Sequence, residues 1–301
     1  MYFSETDELV SYLKPDTLEA INKMWGEDDE LDRFLINSYV NRPLIEYIQS
    51  RSIPIECKNV LEFGCRDGSS FMAFLFLKAG NVTGMDIDES AMEVSGKIYA
   101  DLGYSNIEYR ANKVGEPLPC EDEEFDIVSC NAVLEHIRPE LRRNYLGELQ
   151  RKVKKGGYLI ISDTPNRLWL KDGHTTGIWF LNYLPFKLQC RLGSLTKRYK
   201  SESIRHDDYD FWIAQGIQGV SYKDIYEVLD KNEWSNDHDF KFKTEFKKQT
   251  FDDVKTKRFP ANMKKYISLA FASSFNLLVL KRQHLPSLAI SPSLMCSFRK
   301  R

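Results

Sequence analysis

Short apolar segments alternate with helical segments of about a dozen residues between positions 58 and 162. The apolar segments are too short for helices and are rich in the residues that strands favour. A strand–helix–strand rhythm of this kind places successive strands parallel in one sheet, with helices over both faces. The predicted strands span residues 60–63, 82–86, 107–110, 125–130 and 158–162, and the predicted helices span 69–79, 89–102 and 139–153.

The segments on either side of this core extend it in different ways. Residues 1–50 favour helices, one of them starting at Pro15, and are predicted to form a helical N-terminal extension. Residues 51–301 are assigned to one α/β domain with two inserts, an aromatic one at about 164–220 and a basic one at about 247–275. The pattern also predicts a helix capped by Ser221 and strands at 240–246 and 276–281.

The composition excludes several classes of protein. With 42 basic and 44 acidic side chains the net charge is −2, so a nucleic-acid-binding surface is not expected. The six cysteines show no metal-binding spacing and are expected to be reduced thiols. The N-terminus lacks the features of a secretory signal, and the apolar stretch 266–280 is shorter than the roughly 20 residues that cross a bilayer. A cytoplasmic location is therefore predicted.

The basic C-terminal tail, Phe298–Arg301, has two interpretations. The favoured one is a frayed and solvated chain end. The alternative is a contact with anionic lipid or phosphate, which leaves open a peripheral association with a membrane.

The residues that follow the first two predicted strands indicate a ligand site. In an open α/β sheet, ligands bind beyond the carboxyl ends of the strands. Gly64 and Gly68 allow the backbone to approach a ligand, and Asp86 suits the two hydroxyls of a ribose. The third glycine of a dinucleotide loop is missing, and Glu62 would repel a pyrophosphate. The loop therefore favours a ligand that carries an ammonium and a sulfonium group.

Six short motifs between Lys58 and Trp169 carry a resemblance to a known family. They are Val60-Leu-Glu-Phe-Gly-Cys-Arg-Asp-Gly68, Val82-Thr-Gly-Met-Asp-Ile-Asp88, Pro117-Leu-Pro-Cys-Glu-Asp-Glu-Glu-Phe-Asp-Ile-Val128, Asn131-Ala-Val-Leu-Glu-His-Ile137, Lys155-Gly-Gly-Tyr-Leu-Ile-Ile161 and Thr164-Pro-Asn-Arg167. In this order the chain resembles the class I S-adenosylmethionine-dependent methyltransferases, in particular the group that acts on small molecules and sugars. The resemblance implies a Rossmann-like, doubly wound, mostly parallel sheet of seven strands in the order 3-2-1-4-5-7-6. It also implies S-adenosylmethionine as the cofactor and S-adenosylhomocysteine as the product.

The resemblance implies roles for individual residues at the strand ends. Glu62 and Gly64 would border the methionine part of the cofactor, and Asp86 would hold the ribose hydroxyls. Asn112 would lie near the adenine amino group, and Asn131 would line the reactive side of the cofactor. The complete predicted cofactor set is Glu62, Gly64, Cys65, Arg66, Gly68, Asp86, Ile87, Asn112, Asn131 and Ala132.

Two residues of this set depart from the family pattern. Arg66 replaces the usual middle glycine, where a positive φ costs roughly 1 kcal/mol and a cation would repel the sulfonium. Its side chain would instead contact the methionine carboxylate or point outward. Asn112 stands where the family often has an acidic residue, so its contact with the adenine amine would lack charge assistance. Arg66 keeps open the alternative of a catalytically silent, methyltransferase-like binding protein.

Two histidines are candidates for the base that takes a proton from an acceptor hydroxyl. His174 lies in the aromatic insert, beyond the fifth strand, and is the first choice. His136 lies just beyond the fourth strand and has either this role or a structural one, and His206 is a weaker candidate. No metal is predicted, because Ala132 occupies the first position of a Glu-x-x-Glu-His metal arrangement.

The leading functional hypothesis is O-methylation of a sugar, a polysaccharide end or a related small metabolite. Aromatic side chains of the insert would stack on a sugar ring, and the run after Thr164 resembles enzymes of surface-polysaccharide pathways. The alternatives are a lipid or quinone acceptor and the silent binding protein. The expected partner is a small-molecule or glycan acceptor, with no nucleic acid, and the oligomeric state is monomer or homodimer.

Overall fold

The structure, a computed structural model, describes residues 9–25, 42–200, 206–230, 232–236 and 293–301. Its strands are β1 (Asn59–Phe63), β2 (Asn81–Asp86), β3 (Ile107–Ala111), β4 (Phe125–Asn131), β5 (Val153–Pro165), β6 (Trp234–Asn236) and β7 (Ser293–Lys300). They form a seven-stranded sheet in the order β3-β2-β1-β4-β5-β7-β6. The first five strands pair in parallel, and β7 is antiparallel to both of its neighbours. The fold class predicted from the sequence is confirmed.

Helices flank the strands and connect them. They are α1 (Pro15–Trp25), α2 (Arg42–Ser50), α3 (Phe71–Phe76), α4 (Glu89–Asp101), α5 (Pro139–Lys152), α6 (Phe186–Ser194), α7 (Lys197–Lys200), α8 (Tyr209–Ala214) and α9 (Tyr222–Tyr226). The predicted cap at Ser221 is confirmed, since its hydroxyl accepts the N–H of Asp224 at 3.2 Å at the start of α9. Among the helices of the described residues, none has both the length and the apolar character that crossing a bilayer requires.

The sheet separates two apolar cores, because successive side chains of each strand point to opposite faces. Leu61, Val128 and Leu159 face the core that α5 and α9 cover. Val60 and Ile127, which are register partners in β1 and β4, face the core that α1 to α4 cover. The sheet is therefore buried on both faces, as the near-continuous apolar strands predicted.

The C-terminal tail is a strand of the sheet, so the prediction of a frayed end is wrong. Alternate residues Leu294, Cys296 and Phe298 of β7 are at most 1% exposed and pack in the core that α5 and α9 cover. The Nζ of Lys300 donates to Glu123 Oε1 at 3.0 Å, so a basic residue of the tail is also held in place. The strands predicted at 240–246 and 276–281 and the insert predicted at about 247–275 lie outside the described residues.

Within the aromatic insert, residues 166–200 and 206–220 form a small helical unit with its own core. Trp212 in α8 is fully buried there, with its ring centroid 5.0 Å from that of Tyr199. The other buried members of this core are Leu181, Cys190 and Ile217. Part of the aromatic content thus stabilises the insert itself, and another part stays exposed, namely Trp179, Phe180 and Tyr183.

Candidate functional site

The turn after β1 lies against the turn after β4. Gly64 has a φ of +75°, and its N–H donates to the carbonyl oxygen of Met85 at 2.7 Å. A Cβ atom on Gly64 would lie only 2.3 Å from Cγ2 of Val133. Glycine alone combines this left-handed backbone with so close an approach. The turn therefore keeps the carboxyl ends of β1 and β4 open to a ligand.

The carboxylate of Asp86 is oriented by two backbone donors. Its Oδ2 accepts the N–H of Arg66 at 2.8 Å, and its Oδ1 accepts the N–H of Asp88 at 3.0 Å. Each oxygen keeps a further lone pair for a hydroxyl, as a ribose site requires. Arg66 has a φ of +42°, so the positive φ expected at this position is present in a non-glycine residue. Its hydrogen bond to Asp86 offsets part of that strain.

Two buried polar atoms beside these turns have no hydrogen-bond partner among the described residues. They are Oε2 of Glu62 and Oδ1 of Asn112. Burial raises the pKa of Glu62 to about 7, so its ionised form needs a compensating cation. An unsatisfied buried acceptor costs about 1–3 kcal/mol, which an ammonium and an exocyclic amine would relieve at these two positions. The two acceptors therefore fit the amino-acid and adenine ends of S-adenosylmethionine.

The strand ends open into a cavity of about 840 Å³. Ligand pockets typically span about 300–1,000 Å³, so this one can hold more than a small metabolite. Six of the predicted cofactor residues line it: Gly64, Arg66, Asp86, Ile87, Asn112 and Ala132. The sequence interpretation missed most of the apolar wall, which includes Val114, Ile137, Leu141, Tyr145 and Ile213. Their only signal was an apolar side chain placed soon after a strand or on a helix.

The other four predicted cofactor residues, Glu62, Cys65, Gly68 and Asn131, do not line the cavity. Cys65 is buried in the apolar core. The carbonyl oxygen of Gly68 accepts the hydroxyl of Tyr99 at 2.6 Å, and Oδ1 of Asn131 accepts the hydroxyl of Ser162 at 2.8 Å. The contacts of these four residues with the cofactor therefore stay predictions.

His136 lines the cavity, at the end of the 3₁₀ turn Leu134–His136 that follows β4. Its Nδ1 lies 2.7 Å from the carbonyl oxygen of Ala214 in α8. A carbonyl only accepts, so Nδ1 carries the proton and the lone pair of the neutral ring is on Nε2. Partial burial lowers the pKa of His136, which favours that neutral form.

Glu135, which the sequence interpretation did not assign to the site, lies beside His136. Its side chain is fully buried, and within the described residues neither carboxylate oxygen has a hydrogen-bond partner. Burial raises the pKa of Glu135 to about 8. Oε1 of Glu135 lies 3.8 Å from Nε2 of His136. The signal in the sequence was an acidic residue next to the candidate histidine, in the turn that follows a central strand.

His174, in the aromatic insert, lies next to the turn that carries Glu135 and His136. It lines a second cavity of about 250 Å³ together with Asp163 and Asp172, and it does not line the larger one. Its ring centroid is 5.9 Å from that of His136, so the structure brings the two predicted catalytic histidines together. Partial burial lowers the pKa of His174 as well. His206 lines neither of these two cavities.

We call Glu135, His136 and His174 the Glu135 cluster. One donor atom from each residue lies within 4.8 Å of the other two. The prediction that no metal binds was based on Ala132 and did not consider this grouping, which joins the turn after β4 to the aromatic insert.

The strand order and the acceptors at the strand ends agree with those expected of a class I S-adenosylmethionine-dependent methyltransferase. Residues 61–161 match the family model described as a methyltransferase domain. These residues therefore form a methyltransferase domain, and S-adenosylmethionine is its cofactor, as the sequence predicted.

Relatives of the chain are known from a yeast and from bacteria. It is 29% identical over 242 residues to the mitochondrial ubiquinone biosynthesis O-methyltransferase of Schizosaccharomyces pombe, covering 76% of this chain and 80% of that protein. It is 33% identical over 129 residues to the ubiquinone biosynthesis O-methyltransferase of Coxiella burnetii, covering 42% and 52%. The chain thus spans about half the length of the bacterial relatives it matches. A solved S-adenosylmethionine-dependent methyltransferase from Mesorhizobium loti aligns with 87% of this chain and 97% of its own, with a TM-score of 0.48 and 14% identity.

Proposed function

We propose that the protein transfers the methyl group of S-adenosylmethionine to a ring hydroxyl of a quinone-type small molecule. The observation that carries this proposal is the composition of the large cavity. Apart from the cofactor residues, its wall is mainly apolar, and His136 of the Glu135 cluster is exposed on it. A planar ring needs apolar surface together with one polar place for its reacting hydroxyl, and this wall offers both.

The same wall suits a sugar less well. A sugar presents many hydroxyls, and each of them would need a polar partner on leaving water. Ile137, Leu141 and Ile213 offer none. Arg138 and Asp210 also line the cavity, but they form an ion pair with each other at 2.6 Å. The cavity therefore favours the quinone acceptor, which the sequence gave as an alternative, over the sugar acceptor that it placed first.

The names of the relatives support the same choice. The proteins from Schizosaccharomyces pombe and Coxiella burnetii are both named for ubiquinone biosynthesis. None of the relatives reported above is named for a sugar or a polysaccharide. The cytoplasmic location, the peripheral membrane contact and the oligomeric state of this protein stay predictions of the sequence.

The residues of the site have separate tasks in the proposed reaction. S-adenosylmethionine, when bound, supplies an activated methyl group. Glu62, Asp86 and Asn112 hold the two ends and the ribose of the cofactor. The apolar wall excludes water and aligns the acceptor ring, and alignment alone can contribute several kcal/mol to the rate. Nε2 of His136 takes the proton from the acceptor hydroxyl as its oxygen bonds to the methyl carbon, and S-adenosylhomocysteine leaves as the second product.

The acceptor class is tested with the purified full-length protein and S-adenosylmethionine that carries a labelled methyl group. Three compounds are compared: a short-chain quinol with a free ring hydroxyl, the same quinol with that hydroxyl blocked, and a hexose. Label is expected in the first compound only. Label in the hexose and none in the quinol would overturn the quinone acceptor.

The catalytically silent alternative is tested by binding. Calorimetric titration is expected to show that S-adenosylmethionine binds despite Arg66, because Asp86 engages the backbone N–H of that residue. No binding even at millimolar cofactor would favour the silent binding protein. Binding without transfer to the quinol or the hexose would also contradict the proposed reaction.

A further inference from the structure

We propose that Arg138 and Asp210 together bind a second oxygen of the acceptor ring, opposite the hydroxyl that receives the methyl group. Nη2 of Arg138 lies 2.6 Å from Oδ1 of Asp210, and both residues line the large cavity. We call these two residues the Arg138–Asp210 pair. The inference rests on the proposed function, because it describes how the acceptor of that reaction is oriented and selected.

The pair lies in the acceptor half of the cavity. The cofactor half is formed by the turns that follow β1, β2 and β3, and it includes Asp86 and Asn112. His136 and Arg138 come from the segment between β4 and α5, and Asp210 comes from α8 of the aromatic insert. The pair thus connects the two elements between which the acceptor binds in the proposed reaction.

The spacing between the pair and His136 fits one aromatic ring. α8 presents Asp210, Ile213 and Ala214 to the cavity, at the i, i+3 and i+4 positions of one helix face. The carbonyl oxygen of Ala214 lies 2.7 Å from Nδ1 of His136, whereas the side chain of Asp210 contacts Arg138. Asp210 and Ala214 are separated by about one helical turn, which is a rise of about 6 Å. This spacing is close to that of the two hydroxyl oxygens of a quinol, which lie on opposite carbons of one ring.

The apolar residues of this half leave the pair as the partner for a second oxygen. Ile137, Leu141 and Ile213 line the same half of the cavity, and their side chains offer no hydrogen-bonding atom. A ring whose reacting hydroxyl lies at Nε2 of His136 therefore presents its opposite edge to the Arg138–Asp210 pair. A quinol carries a single oxygen on that edge, whereas a sugar carries further hydroxyls that this one pair cannot serve.

Both members of the pair keep unused hydrogen-bonding capacity. A guanidinium carries several N–H donors and a carboxylate several lone pairs, so their mutual contact occupies only part of each. A ring hydroxyl can donate its proton to the Asp210 carboxylate while its oxygen accepts an N–H of Arg138. A cation next to an anion therefore matches a group that both donates and accepts. Hydrogen bonds to ionised groups are stronger than those between neutral groups.

The same pair would select between acceptors. In the unliganded protein 52% of the Arg138 side chain and 70% of the Asp210 side chain are exposed. A bound ring covers part of this surface and displaces water from the two charges. An oxygen on that edge replaces the lost water contacts, whereas a ring that carries only hydrogen there leaves both charges short of partners. The pair therefore favours acceptors with oxygens on opposite sides of the ring, and it orients the other hydroxyl toward His136.

The test compares two acceptors that differ at this position alone. One is the short-chain quinol, and the other is the matched phenol, which keeps the reacting hydroxyl and carries hydrogen in place of the opposite one. Both are titrated anaerobically by calorimetry into the full-length protein saturated with S-adenosylhomocysteine, so that no methyl transfer occurs. The quinol is expected to bind about tenfold more tightly, because one oxygen is hydrogen-bonded to a partly exposed charged pair.

The double variant Arg138→Met with Asp210→Leu removes both charges and replaces them with apolar side chains. It should bind the two compounds with equal affinity and keep the wild-type affinity for S-adenosylmethionine, which shows that the domain is folded. Arg143→Met is the matched control, because Arg143 is an exposed arginine of α5 that does not line the large cavity. It should keep the wild-type ratio of the two affinities.

Equal binding of the quinol and the phenol by the wild-type protein would overturn the inference. So would a double variant that keeps the wild-type ratio, even where both affinities fall by the same factor, because that result assigns the pair a structural role. The ratio measured on the wild-type protein decides the matter by itself if the double variant does not fold.

Methyl transfer separates this inference from the proposed function. With labelled S-adenosylmethionine, label in both compounds at equal kcat/KM contradicts the inference and leaves the quinone acceptor standing. Tighter binding of the quinol without label in either compound contradicts the proposed function and leaves the pair as a binding site for a ring oxygen. Absence of binding by both compounds would contradict both.

Discussion

The cofactor half of the site and the aromatic insert meet at one cavity, but they are held by different means. Hydrogen bonds from backbone N–H groups at the carboxyl ends of the strands fix the cofactor half. Gly64 donates to the carbonyl oxygen of Met85, and Arg66 donates to the carboxylate of Asp86. The insert depends on a small core around Trp212. Substitutions that repack side chains can therefore change the shape of the insert, on the acceptor side of the cavity. The shape of the cofactor half is fixed by the backbone geometry of the strands.

Trp212→Ala should cause the largest loss of stability, and this loss should be confined to the insert. Removing a buried tryptophan costs about 3–5 kcal/mol. Trp212 packs in the core of the insert and not in either core of the sheet, so the loss should appear there. We expect faster hydrogen exchange across residues 181–217 and loss of turnover, with an unchanged affinity for S-adenosylmethionine in calorimetry.

Trp179→Ala is the matched control for this variant. Trp179 lies in the same insert but is 39% exposed, so its removal should change stability by no more than about 0.5 kcal/mol. If Trp212→Ala abolished cofactor binding as well, the two regions would not be separable in the way proposed.

Gly64→Ala should have the next largest effect, this time on the cofactor half. A positive φ costs alanine about 1 kcal/mol, and the clash of the new methyl group with Val133 adds about 1–3 kcal/mol. Cofactor binding should weaken together with the free energy of unfolding, measured by urea titration.

Gly103→Ala separates the two causes. Gly103 has a φ of +82°, but a Cβ atom there would meet nothing within 4 Å. It should therefore show only the backbone cost, with normal cofactor binding. Equal losses of stability in the two variants would mean that the approach of Val133 to Gly64 is not what requires glycine.

The sequence predicted the cofactor half better than the insert, and the reason is physical. Gly64 and Asp86 act through the backbone turn and the strand end on which they lie, and both are visible as local spacing. Glu135 and His174 are close only because the turn after β4 contacts the insert. The spacing of residues along the sequence does not predict such a tertiary contact. His174 was predicted to face the acceptor, yet it lines the smaller cavity.

The last strand shows the same limit within the sheet. Leu294, Cys296 and Phe298 alternate as a strand should, but the run is short and ends in basic residues. The apolar run at 276–281 matched a buried strand better by composition. What decides the position of β7 is its pairing with β5, and composition does not encode such a partner.

Arg142→Met tests how the insert is joined to the sheet domain. Arg142 in α5 donates to the carbonyl oxygens of Gln218 and Gly219 at 2.7 and 3.1 Å. Hydrogen bonds from a charged group contribute about 1.5–3 kcal/mol, so a loss of about 2 kcal/mol is expected. As a positioning residue it should raise the KM for the quinol more than it lowers kcat, with cofactor affinity unchanged.

Arg143→Met serves as the control, because Arg143 is the exposed neighbour on the same helix. It should leave stability and KM at their wild-type values. A fall in kcat with a constant KM in Arg142→Met would point to chemistry instead of positioning.

The pH dependence of cofactor binding should show the smallest of these effects, and it sharpens the role of Glu62. Burial raises the pKa of Glu62 from its ordinary 4.5 to about 7, whereas the cofactor ammonium favours the ionised carboxylate. Affinity for S-adenosylmethionine should therefore rise about tenfold between about pH 6 and pH 8 and then level off. Calorimetry across this range measures it.

The same raised pKa has an opposite effect on the unliganded protein. Between about pH 4.5 and 7 the unfolded chain has already released the Glu62 proton and the folded chain has not, so stability falls as pH rises. The thiols of Cys65 and Cys130 also have pKa values raised by burial and stay protonated throughout. Glu62→Gln, which keeps the shape and removes this titration, should flatten the affinity profile and reduce the slope of the stability profile, to which the raised pKa of Glu135 still contributes. An affinity slope that persists in this variant would assign the proton to another group and leave Glu62 without the ammonium contact.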